Sequence, residues 1–176
     1  EEVEALLDAP DRATWSGQRD AVMLATLYNT GARVSEVTGL RVADVLVDRA
    51  SALHLHGKGR KERVIPLWKS TAAQLRAWLL CIDRSPDAPV FPNRSGARLS
   101  RSGVEHRLDV ALATATMRCP SLAGRRISPH TLRHTTAMHL LQSGVDITVI
   151  ALWLGHEDPA TTHLYIEADL AMKEAA

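Results

Sequence analysis

Six polar residues of this chain stand beside turns or at helix starts: Arg33, Lys58, His130, Arg133, His156 and Tyr165. Two arginines, a lysine, two histidines and a tyrosine suit a phosphodiester. A guanidinium donates paired hydrogen bonds to non-bridging phosphate oxygens. Two guanidiniums can hold a phosphate whose charge concentrates in the transition state, with no metal required. A tyrosine can act as nucleophile and split one hard step into two. Its hydroxyl pKa of about 10 means that it needs help in losing its proton. A histidine can assist there, and a lysine can protonate the departing oxygen. The stretch "HTLRHTTAMHL", residues 130–140, leaves three readings open on its own. His130 and His134 are four apart and could bind a metal. The segment could be a plain charged helix face. His130 and Arg133, three apart, could share one face at a phosphate.

The elements that must position these residues follow from pattern. "QRDAVMLATLYNT", residues 18–30, predicts a helix that stops at Gly31. "RVSEV" predicts a short second helix ending at Gly39. Leu53 and Leu55 alternate with His54 and His56, "GKG" turns, and "RVIPL" follows, which reads as strand, turn, strand with Lys58 at the tip. Residues 69–82 predict an amphipathic helix with Leu75, Trp78, Leu79 and Ile82 on one stripe. "RSPDAPVFPNRSGARLS" reads as a loop, residues 101–117 as helix, and "RCPSLAGRR" as a basic connector. Ser128-Pro129 opens the next helix, because serine caps well and proline is tolerated at the first helical position. That helix places His130 and Arg133 near its positive end and stops at Gly144. Asp146 caps "ITVIALWL", an almost wholly apolar helix expected to be buried, and Gly155 ends it just before His156. Asp158-Pro159 caps a segment carrying Tyr165, and residues 167–175 predict a last small helix.

Composition sets the frame. The 176 residues are 45% hydrophobic and 23% charged, ordinary for a globular domain with a sizeable core. No apolar run approaches the roughly 20 residues of a membrane-spanning helix. The acidic, amphipathic "EEVEALLDAP" lacks the charge pattern of a signal peptide. Cys81 and Cys119 are the two cysteines. Two cysteines argue against a disulfide framework and fit a reducing cytoplasm, and the lack of a CxxC pair argues against a structural zinc site. The formal net charge is only +1, yet the signs are segregated. Residues 58–63 carry Lys58, Arg60, Lys61 and Arg63 against Glu62. Residues 94–107 and 118–126, the latter with Arg125 and Arg126, are also basic, while both ends of the chain are acidic. Such segregation can present a cationic face to a polyanion.

"TGARVSEVTGLRVADV", "GKGRKERVIPL", "SPHTLRHTTAMHLLQSGVDITVIALWLGH" and "TTHLYIEAD" together resemble the catalytic domain of tyrosine recombinases, the lambda-integrase family. The resemblance covers nearly the whole chain. Arg33 matches the first arginine of the family, Lys58 the hairpin lysine, and His130 and Arg133 the H-x-x-R pair. His156 matches the "LGH" histidine and Tyr165 the nucleophile nine residues later. The resemblance implies an α+β, mostly α-helical fold with a small three-stranded antiparallel sheet on one edge. It implies a site-specific recombinase that joins Tyr165 to a 3′ phosphate, frees a 5′ hydroxyl and exchanges strands through a Holliday junction, without metal, ATP or other cofactor. Lys58 would act as general acid, Arg33, Arg133 and His156 would hold phosphate oxygens, and His130 would assist proton transfer or orient the phosphate. Glu36 would support Arg33, and His134 and His139 would pack or face DNA. Arg60, Lys61, Arg63, Arg125 and Arg126 are the expected DNA contacts. The expected partners are a double-stranded recombination site and, on it, three further copies in a homotetramer, with monomer off DNA and no membrane. Residues 1–176 are expected to form the catalytic domain, with the family's N-terminal core-binding domain absent from this chain and a cytoplasmic location. A type IB topoisomerase and a non-catalytic DNA-binding relative are the competing readings.

Overall fold

The computed structural model describes residues 1–47, 51–57, 59 and 61–155. Lys58, Arg60, His156 and Tyr165 lie outside the described residues, as do the segments expected after Gly155.

Seven α-helices and a three-stranded sheet make up the described body. Helix α1 spans Glu2–Leu7 and α2 spans Trp15–Thr30. The second helix starts earlier than its apolar pattern predicts because Thr14 caps it, its hydroxyl accepting from the Gly17 N–H. It is the central helix: Met23, Leu24, Leu27, Asn29 and Thr30 are all buried on it. Gly31, at φ 58°, ends it in the left-handed conformation that favours glycine. Helix α3, Val34–Thr38, follows at once with Arg33 as its N-cap.

A single 3-10 turn at Val42–Asp44 leads into β1, Val45–Leu46, which pairs antiparallel with β2, Ala52–His56; β2 pairs antiparallel with β3, Glu62–Pro66. In the β2–β3 register Leu53 faces Ile65, Leu55 faces Arg63 and His56 faces Glu62. Side chains alternate between faces, so Leu53, Leu55 and Ile65 enter the core while His54, His56 and Glu62 share the outer face. The sheet is the small three-stranded antiparallel one that the sequence predicts.

Helix α4 covers Lys69–Trp78, and a 3-10 turn at Leu79–Cys81 replaces its expected last turn. Helix α5 covers Arg101–Arg118. A 3-10 turn at Pro120–Leu122 lies within the basic connector, where the sequence predicts no element. Helix α6, Pro129–Gln142, packs across α2, with the Thr136 hydroxyl donating to the Tyr28 carbonyl at 2.6 Å. Helix α7 covers Ile147–Leu154.

One expectation is corrected here. Helix α7 is not buried all round: Ile150 and Leu154 are, but Val149 is 45% and Leu152 70% exposed. Its composition is apolar on every side, yet it packs mainly against α6 and β3, with Trp153 Nε1 donating to the Asn29 carbonyl of α2. In the basic run 94–107, Arg107 does not extend to solvent as a free cation. Its Nε donates to Asp20, a buried carboxylate on α2 that also accepts from Arg19.

Candidate functional site

The start of α6 is fixed by its own first residues. The Ser128 hydroxyl accepts from the Thr131 N–H at 3.2 Å, and the Thr131 hydroxyl accepts from the Ser128 N–H at 3.1 Å. This reciprocal cap satisfies two helix-end donors. Pro129 adds a residue whose φ is preset for the helix. With the first turn set, Leu132, Arg133, Thr136 and Ala137 face inward and are buried, while His130 faces out.

Arg133 is only 5% exposed. Its guanidinium spans two loops, with Nη1 donating to the Gly31 carbonyl at 2.5 Å and Nη2 to the Leu154 carbonyl at 2.7 Å. Arg33 approaches from the other wall. Its backbone N–H donates to Glu36 Oε2 at 2.7 Å, its Nη1 lies 3.6 Å from Glu36 Oε1, and its side chain is 44% exposed. Arg33, His130 and Arg133 line one open cavity of about 360 Å³. Arg101 and Glu105 line it as well, paired with each other at 2.9 Å. Three residues from two well-separated stretches of sequence thus meet at one concavity. Lys58, His156 and Tyr165 lie outside the described residues.

Arg63, one of the expected DNA contacts, is engaged within the fold. It alternates with Glu62 and Val64 along β3 and therefore points to the inner face, opposite Leu55. There its Nη1 and Nη2 donate to the two carboxylate oxygens of Glu36 at 2.6 and 2.9 Å, and its Nε donates to the Trp153 carbonyl at 2.9 Å. Only 13% of the side chain is exposed. Glu36 is 4% exposed. Burial pushes its carboxyl up, but the hydrogen bonds and charge of Arg63, with the Arg33 N–H and guanidinium, outweigh burial and hold it below the usual range. Of the other expected DNA contacts, Lys61 and Arg126 are exposed, and Arg125 is exposed with Nη1 3.2 Å from Glu2.

The end of α7 is where these arginines converge. Arg63 donates to the carbonyl of Trp153, Arg133 to that of Leu154, and Arg33 Nη2 to that of Gly155 at 3.4 Å. The last carbonyls of a helix have no intrahelical donor, and they form its negative end. Three guanidiniums from α3, β3 and α6 fill that need. They fix the chain direction at Gly155, whose φ of 65° turns it out of the helix.

His134 belongs to the site in a way that spacing alone does not reveal. Its Nε2 lies 2.6 Å from His130 Nε2, so one imidazole donates to the other. Partial burial, then the charges of His130 and Arg133, push the His134 pKa down. A neutral His134 can accept the His130 N–H and fix its tautomer. The i, i+4 spacing was the available signal, although it also suits a metal pair. His139 packs: its Nδ1 meets the Tyr28 hydroxyl at 2.5 Å.

A family model described as the phage integrase family matches residues 1–172. This chain belongs to the phage integrase family. The y4rC protein of Sinorhizobium fredii, named as an integrase/recombinase, is 53% identical over 175 residues, which is 99% of this chain and 53% of that protein. Tyrosine recombinase XerC of Chlamydia trachomatis is 36% identical over 178 residues, 99% of this chain and 54% of that protein. Among solved structures, the XerA recombinase aligns with a TM-score of 0.77 at 27% identity, over 93% of this chain and 55% of that one. The XerH recombinase bound to its difH substrate aligns with a TM-score of 0.79 at 22% identity, over 94% of this chain and 48% of that one, and so attests the fold. The fold is that of a tyrosine recombinase catalytic domain. The chain spans about half the length of the curated relatives it matches. It carries "HTLR" at the start of α6 and "TGAR" before α3, the two segments that bring Arg133 and Arg33 to the cavity.

Proposed function

We propose that this chain is the catalytic part of a site-specific DNA recombinase, and that the cavity between α3 and α6 holds the scissile phosphate. The observation that carries the reading is the convergence of Arg33, His130 and Arg133 on one open concavity, in a chain of the phage integrase family. Arg33 and Arg133 bind non-bridging oxygens as negative charge accumulates on them. Tyr165 Oη attacks the phosphorus; the P–O5′ bond breaks, and a 3′-phosphotyrosyl link forms. The tyrosine proton leaves through His130 or solvent, and Lys58 protonates the departing 5′ oxygen. His156 supports the phosphate. A 5′ hydroxyl of a partner duplex then attacks the phosphotyrosine, and exchange proceeds through a Holliday junction. The link conserves the bond energy, so no ATP is consumed. The acting form is a homotetramer on double-stranded DNA, with Lys61, Arg125 and Arg126 on the backbone.

The test is covalent trapping on a nicked suicide duplex. Wild-type chain is expected to form a protein–DNA adduct that Tyr165→Phe does not form, while Tyr165→Phe keeps its DNA binding. An adduct with Tyr165→Phe would overturn the assignment of the nucleophile. Supercoiled plasmid separates the type IB topoisomerase reading: relaxation without a specific site would favour it, and dependence on paired sites favours the recombinase.

A further inference from the structure

The outer face of the β2–β3 hairpin carries a second cluster, away from the phosphate cavity. His54 and His56, two apart on β2, turn to the same face with ring centroids 4.5 Å apart. Asp44, at the end of the 3-10 turn before β1, reaches the same point: its Oδ1 lies 2.9 Å from His56 Nε2. One ligand atom from each of Asp44, His54 and His56 lies within 4.8 Å of the others. Glu62, across from His56 on β3, stands beside both rings, with Oε1 3.2 Å from His56 Nδ1 and Oε2 3.0 Å from His54 Nε2.

We propose that Asp44, His54 and His56 form a binding site for a zinc-class divalent cation, with Glu62 orienting the imidazoles from the opposite strand. Two imidazoles and one carboxylate suit zinc, with nickel and copper as chemical relatives. Zinc–ligand bonds of about 2.0–2.2 Å put tetrahedral ligand atoms roughly 3.3–3.5 Å apart. The cluster, with ligand atoms within 4.8 Å of one another, lies within about 1.5 Å of that spacing, and both histidine side chains, 35% and 37% exposed, have room to close it. His56 has the arrangement of a metal-bound histidine. One ring nitrogen is turned to the ligand cluster and the other to a carboxylate, which fixes tautomer and orientation. The remaining coordination position opens to solvent.

Arg41 is the group that opposes cation binding. It donates to both oxygens of Asp44 and also reaches Asp87. Each Asp44 oxygen has two acceptor positions, so Oδ1 can bind the cation while keeping the Arg41 contact. The Arg41 pair also holds the carboxylate still. No cysteine takes part, so CxxC spacing gave no sign of it. The bound cation would tie the corner before β1 to strand β2. The proposal does not depend on the recombinase reading.

Zinc alone, titrated into chelator-stripped chain by calorimetry near neutral pH, is the probe. One zinc per chain is expected. His54→Gln and His56→Gln are each expected to weaken binding at least tenfold. His134→Gln, which removes the histidine pair on α6, is expected to leave this site unchanged. In wild-type chain, zinc is expected to protect His54 and His56 from diethyl pyrocarbonate, as located by mass spectrometry, and this measurement needs no variant. Absence of zinc binding by the folded chain would overturn the proposal. So would undiminished binding by the His54→Gln/His56→Gln double variant, or modification of both histidines at saturating zinc.

Discussion

The two walls of the cavity between α3 and α6 are built differently. On the α6 wall, Arg133 is 5% exposed, and both of its terminal nitrogens already bind backbone carbonyls, at 2.5 and 2.7 Å. On the α3 wall, Arg33 is 44% exposed, and its nearest guanidinium contacts are 3.4 and 3.6 Å long. The difference follows from position. Arg133 sits on the inward stripe of a 14-residue helix, so its side chain becomes part of the core. Arg33 is an N-cap, half outside its helix, so its side chain reaches over the surface. In the proposed site one arginine is frame as well as ligand, and the other has the freedom to close on a phosphate. Stability and DNA cleavage should therefore separate between the two walls.

The largest loss of stability is expected for Arg133→Ala. It strips donors from the Gly31 and Leu154 carbonyls, and an unsatisfied buried acceptor costs about 1–3 kcal/mol. With the lost packing of the arginine stem, the variant should lose roughly 3–5 kcal/mol in urea unfolding. Arg133→Lys should recover part of that and little of the DNA cleavage, because an ammonium lacks the planar fork. A fully stable Arg133→Ala would erase the contrast between the walls.

Next comes Arg63→Ala, expected to cost about 2–4 kcal/mol because it leaves the Glu36 carboxylate buried and poorly paired. Its pH dependence sharpens the point. The Glu36 pKa in the folded chain lies below its ordinary value of 4.5, with Arg63 the main opponent of burial. The stabilisation it contributes is therefore full above that ordinary value and is lost as pH falls through the folded one. Without Arg63, burial prevails and the sign of the contribution changes. Wild-type stability should fall through this group as pH drops below the ordinary value of 4.5, and the fall should shrink in Arg63→Ala. Equal slopes in acid urea titrations would refute the bracket.

Arg63 also shows what could be read from the sequence and what could not. Strict alternation gave the hairpin and its core residues Leu53 and Leu55. The same alternation puts Arg63 on the inner face, but the density of charge in "GKGRKER" draws attention to the run as a basic cluster instead. Arg107 pairs with Asp20, 87 residues earlier, a contact that no local pattern carries. Helix α7 misleads for the opposite reason. Its eight residues are apolar nearly throughout, and only its neighbours decide which side is covered. The α6 start was legible because Ser128, Pro129 and Thr131 build it locally. The meeting of Arg33 with Arg133 depends on how α2 and α6 cross, and only resemblance to a family anticipates it.

Gly155→Ala should have a smaller effect. Its φ of 65° is costly for alanine, by about 1 kcal/mol. An added Cβ would also meet Arg63 Nη1 at 3.0 Å. The total should be about 1–2 kcal/mol by thermal or urea unfolding. DNA cleavage should fall more than that loss explains, because Gly155 ends α7 immediately before His156 in the sequence. Cleavage unchanged at equal folded concentration would mean that the end of α7 does not position the residue after it.

The smallest stability effect belongs to Arg33→Ala. Its contacts are long and partly exposed, and ion pairs of that kind contribute between zero and about 1 kcal/mol. Glu36 keeps its bidentate partner Arg63, and the Arg33 backbone N–H that caps it survives the substitution. Unfolding should therefore be nearly unchanged. Covalent trapping should still fall by about 100- to 1000-fold, the usual cost of removing one donor to a charge that develops in the transition state. A variant that loses as much stability as Arg133→Ala would make Arg33 a second frame residue. One that keeps both stability and trapping would remove the α3 wall from the proposed phosphate site and leave Arg133 as its one assigned arginine.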